Sequence, residues 1–191
     1  MSTRTYLEWI TFIALLIFGI YTMWIIKNEK NKYLKDARVV SFKNFKMLIP
    51  AWWSDVSEDM KDTLIFKRLD TRYDWQASFH WIEENSPKDI IELFKDKITE
   101  RKILFDEETS IIYNPSDFKN SPLTQSGLFE IVRLEGTATE DKSERLYYDA
   151  FLVRQKSNGH YLFAQSKSSV LNGLVEGPYF EEVMLRLEIK S

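Results

Sequence analysis

The first strong pattern along the chain is a continuous apolar run. From Trp9 to Ile26 it reads WITFIALLIFGIYTMWII without a charge, bounded by Glu8 and Lys27. At 1.5 Å of rise per residue this run covers roughly 27 Å, about the hydrocarbon thickness of a bilayer. Trp9 and Trp24 stand near its two ends with Tyr6 and Tyr21 beside them, where aromatic rings favour the headgroup region. The pattern predicts a transmembrane anchor. A core helix would need partner helices that the remaining sequence lacks, and a cleaved leader would be shorter and followed by a small-residue cleavage site. Residues 27–38, KNEKNKYLKDAR, are polar and helix-permissive, and are expected to prolong the helix before a domain begins.

Beyond residue 38 the pattern shortens. Val39 to Phe42 and Phe45 to Ile49 read as strands joined by a turn at Lys43-Asn44, with Pro50 ending the second. Thr63 to Leu69 and Trp75 to Ile82 follow. The latter alternates cleanly, with Trp75, Ala77, Phe79 and Trp81 on one face and Gln76, Ser78 and His80 on the other. Ser86-Pro87-Lys88-Asp89 predicts a helix start, Ser86 capping and Asp89 completing a capping box. Ile90, Ile91, Phe94 and Ile98 then form one apolar stripe, and the helix should end near Arg101.

A second set of strands comes after it: Ser110 to Tyr113, then Leu128 to Thr137 and Arg145 to Gln155, then His160 to Ser166 beyond an Asn158-Gly159 hairpin signal. Residues 114–126 read as a loop, and Asp141-Lys142-Ser143-Glu144 as a polar hairpin connection. Gly177-Pro178 predicts the start of a closing helix, with Glu181 and Glu182 in its first turn and Phe180, Val183, Met184 and Leu187 facing inward. The expected class is α+β: an N-terminal transmembrane helix followed by a mainly antiparallel β-sheet covered by two amphipathic helices. The expected division is 1–38 for anchor and basic stalk and 39–191 for the soluble domain.

Charge sharpens that division. Residues 1–38 hold six basic side chains (Arg4, Lys27, Lys30, Lys32, Lys35, Arg38) against three acids (Glu8, Glu29, Asp36); removing that +3 from the total of −3 leaves −6 for residues 39–191. An acidic domain is poorly suited to nucleic acid, whose binding rests on phosphate neutralisation. The basic residues after the span favour a cytoplasmic domain. A short N-terminal tail, one span and a large C-terminal domain is instead the usual arrangement of an exporting signal anchor. The absence of cysteine points the same way, since unpaired thiols are awkward in oxidising compartments. The expectation is a single-pass protein of the plasma (inner) membrane with its domain outside the cytoplasm, the cytoplasmic side being the alternative.

Candidate chemistry is sparse. Without cysteine there are no thiolate metal sites or thiol nucleophiles, and His80 and His160 are too few for a histidine-built metal centre. His80, near Glu83 and Glu84, reads as a solvated strand histidine. The acids around Asp106, Glu107 and Glu108 lack the ligand spacing of a calcium loop. No nucleophile elbow and no phosphate-cradling glycine pattern occurs. No catalytic residue, cofactor or metal is therefore expected. Aromatics are the better lead. Trp52-Trp53 ends a strand, where neighbouring side chains point to opposite faces, so Trp53 is a possible interface residue.

The segment FKMLIPAWW, Phe45 to Trp53, resembles the opening of the PsbP-like superfamily, which includes DcrB-like lipoproteins. The order of strands, helix, long antiparallel strands and closing helix is similar over about residues 39–190. The resemblance implies that Ile49-Pro50-x-Trp52 is structural, with proline ending the strand and the ring plugging the sheet edge. It also implies a non-enzymatic accessory domain that assists a larger assembly. The chain departs from the lipoprotein members in lacking a lipobox cysteine. Two functions follow as expectations: an accessory or assembly subunit of a membrane complex, with the bilayer and other complex proteins as partners; or a membrane-tethered module for a small apolar or lipid ligand.

Overall fold

A computed structural model describes residues 3–58, 60–70, 74–141 and 144–190. The chain divides into two compact units, 1–37 and 38–191. The first is one uninterrupted helix, α1 (Thr3–Asp36). It is the one helix among the described residues long and apolar enough to cross a membrane, and none of its apolar window is buried. Trp9 packs edge-on against Phe12 and Tyr21 stacks with Trp24, all four remaining exposed.

The second unit is α+β and its strands pair antiparallel throughout. A small sheet joins β1 (Arg38–Phe42), β2 (Phe45–Ile49) and β11 (Glu188–Ile189) in the order β1-β2-β11. The turn between β1 and β2 falls at Lys43-Asn44, Lys43 taking a left-handed φ of 51°. The large sheet is built from β3 (Ser54–Asp55), β4 (Thr63–Lys67), β5 (Gln76–Ile82), β6 (Ile103–Phe105), β7 (Ile111–Tyr113), β8 (Phe129–Glu140), β9 (Glu144–Gln155) and β10 (Tyr161–Ser168). Its order is β3-β4-β5-β10-β9-β8-β6, with β7 also paired to β8. Lys142 and Ser143, in the expected β8–β9 connection, lie outside the described residues.

Alternation along the central strands buries both faces. Val132, Ala150, Leu152 and Phe163 point to one side, where α2 (Ile90–Glu100) adds Ile90, Leu93, Phe94 and Ile98. Ile131, Phe151, Val153 and Leu162 point to the other, where the small sheet adds Phe45, Met47 and Ile49 and α4 (Val170–Leu185) adds Phe180, Val183 and Met184. The two covering helices therefore lie on opposite faces. Phe94 and Leu187 are both buried, as the periodicity required, but in different cores.

Several boundaries differ from the sequence reading. The α2 cap is Asp89, whose carboxylate accepts the Ile91 N–H at 2.8 Å, and not Ser86. Residues 114–126 are structured: a 3-10 turn (Pro115–Phe118) and the short helix α3 (Pro122–Gln125) each begin on a proline, where a missing N–H is harmless. The strand β6 follows Lys102, whose left-handed φ of 57° ends the α2 turn. Most consequentially, α4 starts at Val170 and runs through Gly173, Gly177 and Pro178.

Candidate interaction surface

The first half of α4 is inverted. Gly173, Glu176 and Gly177 face the sheet, whereas Leu171, Leu174 and Val175 are 77%, 64% and 46% exposed. The glycines explain half of this arrangement. A Cβ at Gly173 would lie 2.4 Å from the Tyr147 side chain, so the helix backbone rests directly on that ring. Pro178 is also exposed; the carbonyl left without its helical donor is that of Leu174, on the same outward side. Asp74 supplies the helix start, accepting from the Ser169 N–H at 3.2 Å and from Asn172 Nδ2 at 2.7 Å. Burial opposes ionisation of Asp74, yet these hydrogen bonds hold its carboxyl below the ordinary range.

Glu176 explains the rest. Its side chain is fully buried, which demands compensation by donors. Trp53 Nε1 donates to Oε2 at 2.9 Å, Trp52 Nε1 lies 3.4 Å from the same oxygen, and Arg68 NH1 binds Oε1. Arg68 in turn grips Asp70 through two bonds of 2.7 and 3.0 Å, and its guanidinium sits 5.9 Å from the Trp52 ring. Burial alone would lower the Arg68 pKa; the bonds to Asp70 and Glu176 raise it.

Trp53 is thus a core residue, correcting the expectation of an interface anchor. Its N–H closes a turn on the Pro50 carbonyl at 3.1 Å, which swings the ring inward against Trp75 at 4.2 Å. Its neighbour Trp52 stays half-buried and meets Tyr179 edge-on at 5.0 Å. The outer face of α4 therefore presents Leu171, Leu174 and Val175 beside a Trp52–Tyr179 pair, a mixture of aliphatic and aromatic groups suited to recognition.

The second half of α4 is tied down electrostatically. Arg133 on β8 binds Asp149 on β9 through bonds of 3.0 and 2.9 Å, Glu135 at 2.5 Å and Glu181 on α4 at 3.0 Å. Tyr113 and Tyr147 donate to Glu135 at 2.7 and 3.1 Å. Burial lifts the Asp149 carboxyl to about 7 against the pull of Arg133. Glu181 and Glu182 sit in the second half of the helix rather than its first turn, and Glu182 pairs with Arg186.

The remaining candidates are dispersed. His80 is not solvated: it lies part-buried between Thr63 and Ser78, 3.1 Å from each hydroxyl, and burial, aided by the charge of Arg101, lowers its pKa to about 4. Glu83 and Glu84 accept instead from Trp81 Nε1 at 3.1 Å and the Tyr161 hydroxyl at 2.9 Å. His160 packs on Trp81. Asp106 accepts from the Glu108 N–H and from Arg145. Among the described residues no group of three or more such side chains is placed to hold a metal ion. The sequence reading overlooked Glu176, Leu171, Leu174 and Val175. Their signal was helical spacing of apolar residues at 171, 174 and 175, masked by glycines and a proline that read as punctuation.

No protein-family model matches the chain, and no curated protein matches it. Solved structures do. The Ran-binding protein Mog1p of Saccharomyces cerevisiae is similar with a TM-score of 0.51 and 8% identity, over 80% of this chain and 95% of that one. Cyanobacterial PsbP from Synechocystis is similar with a TM-score of 0.49 and 12% identity, over 80% and 91%. A Pseudomonas aeruginosa protein of unknown function has a TM-score of 0.46 and 10% identity, over 81% and 98%. At these identities the likeness is one of fold.

Proposed function

We propose that this chain is a non-enzymatic single-pass membrane protein that serves as an accessory or assembly subunit of a larger membrane complex. On this reading α1 anchors it, with Trp9 and Trp24 at the two headgroup belts, and the outer face of α4 docks a partner protein. The observation that carries the reading is the inversion of the first half of α4: turns that bury a carboxylate and two glycines while exposing Leu171, Leu174 and Val175 hold their apolar side away from the core. The unburied apolar window of α1 supports the anchor. The fold likeness to a Ran-binding protein offers an analogy to a binding role at the level of fold alone. The anchor belongs in the plasma membrane with the domain outside the cytoplasm, a sidedness that protease accessibility in sealed vesicles tests.

Purification of the full chain from its native membranes tests the main reading. The expected result is stoichiometric co-migration with other subunits, weakened by roughly 2 kcal/mol or more in Leu174→Asp while the domain melts as before. A wild-type chain that runs alone would sink it. The second reading, a module for a small apolar ligand, is favoured by one observation, an apolar cleft between α2 and the sheet edge.

A further inference from the structure

The cleft under α2 has a defined floor and wall. Ile112 on β7 and Leu134 on β8 are cross-strand partners and form the floor. Ile91, Phe94, Lys95, Ile98 and Thr99 form the wall, at the helical spacing that puts five side chains on one face. Phe94 and Ile98 are buried, but Ile112 remains 47% exposed. The space enclosed is about 250 Å³. That is slightly below the usual range for a drug-sized ligand, and so fits one slender molecule rather than two chains.

Its chemistry is asymmetric. Every lining side chain is apolar except Lys95 and Thr99, on successive turns at one edge. The Thr99 hydroxyl already donates to the Lys95 carbonyl at 2.9 Å. The Lys95 ammonium has no ion-pair partner among the described residues, unlike Lys88 and Lys97 on either side of it, which hold Asp96 and Glu100. A free cation at the mouth of an apolar slot calls for an amphiphile whose head is an anion. From Ile91 to Thr99 the wall runs roughly 12 Å, enough for one chain of medium length.

We infer that this cleft binds a single-chain carboxylate amphiphile, a medium-chain fatty acid, with its chain over Ile112 and Leu134 and its carboxylate on Lys95. The inference rests on the second reading above and is independent of the docking face of α4. Burial of methylenes supplies the attraction, and the charge pair selects acid over alcohol.

The test uses the full chain in phosphatidylcholine vesicles and a decanoic acid analogue carrying a photoreactive diazirine on its chain. Labelled peptides are mapped after irradiation, and label in α1 serves as an internal record of probe dissolved in the bilayer. Expected is label in the peptides holding residues 91–99, 112 and 134, suppressed by excess decanoic acid but not by decanol. Lys95→Gln should weaken that competition about tenfold, the loss of one charge-assisted contact, with label in α1 unchanged. Lys95 is exposed, so the variant should melt as the wild type does; Ile112→Phe, which fills the slot from its open side, gives a second route to lost label. Label confined to α1 would overturn the inference. So would equal competition by decanol, or equal labelling by a diacyl phospholipid probe. Complex recovery in Leu174→Asp is read separately, so failure of either proposal is distinguishable from failure of the other.

Discussion

Trp53 and Glu176 lie 123 residues apart in sequence and are joined by a buried hydrogen bond of 2.9 Å. The bond fastens the chain leaving the small sheet to the inner side of α4, and one carboxylate thereby decides where two tryptophans go. Trp53→Ala should destabilise the domain by about 3–5 kcal/mol, the range for deleting a buried large aromatic. Trp53→Phe should cost less, since it keeps most of the ring packing and loses chiefly the donor. Denaturant titration of both variants checks this. Loss of complex recovery at unchanged stability would restore Trp53 to the surface.

Gly173 and Gly177 make a sharper contrast. At Gly173 a methyl group would meet the Tyr147 Cβ and Cγ at 2.4 Å, and relief requires the helix or the strand to move. Gly173→Ala should therefore cost roughly 2 kcal/mol or more. At Gly177 the nearest atom stands at 3.4 Å, an ordinary contact. There alanine should be neutral, or stabilising by up to about 1 kcal/mol through helix propensity. Equal thermal shifts in the two variants would contradict the close approach.

Arg133 pairs with three carboxylates drawn from β8, β9 and α4. Replacing it by Met leaves Asp149 buried without its cation, at an expected loss of about 3–5 kcal/mol. The double variant Arg133→Met with Asp149→Leu should recover much of that loss, because no orphaned charge remains. A double-mutant cycle on unfolding free energy measures the coupling.

His80 predicts a pH dependence. Its folded pKa, lowered to about 4 chiefly by burial, lies below the ordinary 6.5. Between these values the unfolded chain takes up a proton that the folded one refuses, so stability falls as pH drops through that window and the contribution is fully lost below about 4. Its part-exposed position screens the effect to roughly 1–2 kcal/mol. In His80→Gln, which can still reach Thr63 and Ser78, the difference between the unfolding free energies from urea titration at pH about 7 and about 4.5 should shrink by that amount. An unchanged slope would mean that the ring titrates as it does in water.

Strand patterning was legible where apolar residues recur at period two. Trp75, Ala77, Phe79 and Trp81 alternate in sequence and all four are buried in the core beneath α4. The Asn158-Gly159 turn was legible because Gly159 takes a left-handed φ of 74°. The start of α4 was not. Gly173 and Gly177-Pro178 follow the rules for helix ends, and only the Tyr147 ring across the gap accounts for glycines in the middle of a helix. Trp53 was illegible for a related reason: its direction is set by Glu176, a non-local partner that no window around residue 53 contains. A buried carboxylate on an otherwise apolar segment carries no local sign of its donors.

The glycine-lined half of α4 has a dynamic consequence. Hydrophobic adhesion to the sheet is concentrated in Phe180, Val183 and Met184, in the second half of the helix. The turns from Val170 to Gly177 adhere through one carboxylate, the Asp74 bonds and contact with a single ring. Such a segment opens as a small cooperative unit, at a free energy well below that of global unfolding. Amide hydrogens in those turns should exchange with solvent deuterium ahead of those in β8, β9 and β10. A partner bound across Leu171 and Leu174 would slow the same amides, making this end of the helix a built-in reporter of occupancy.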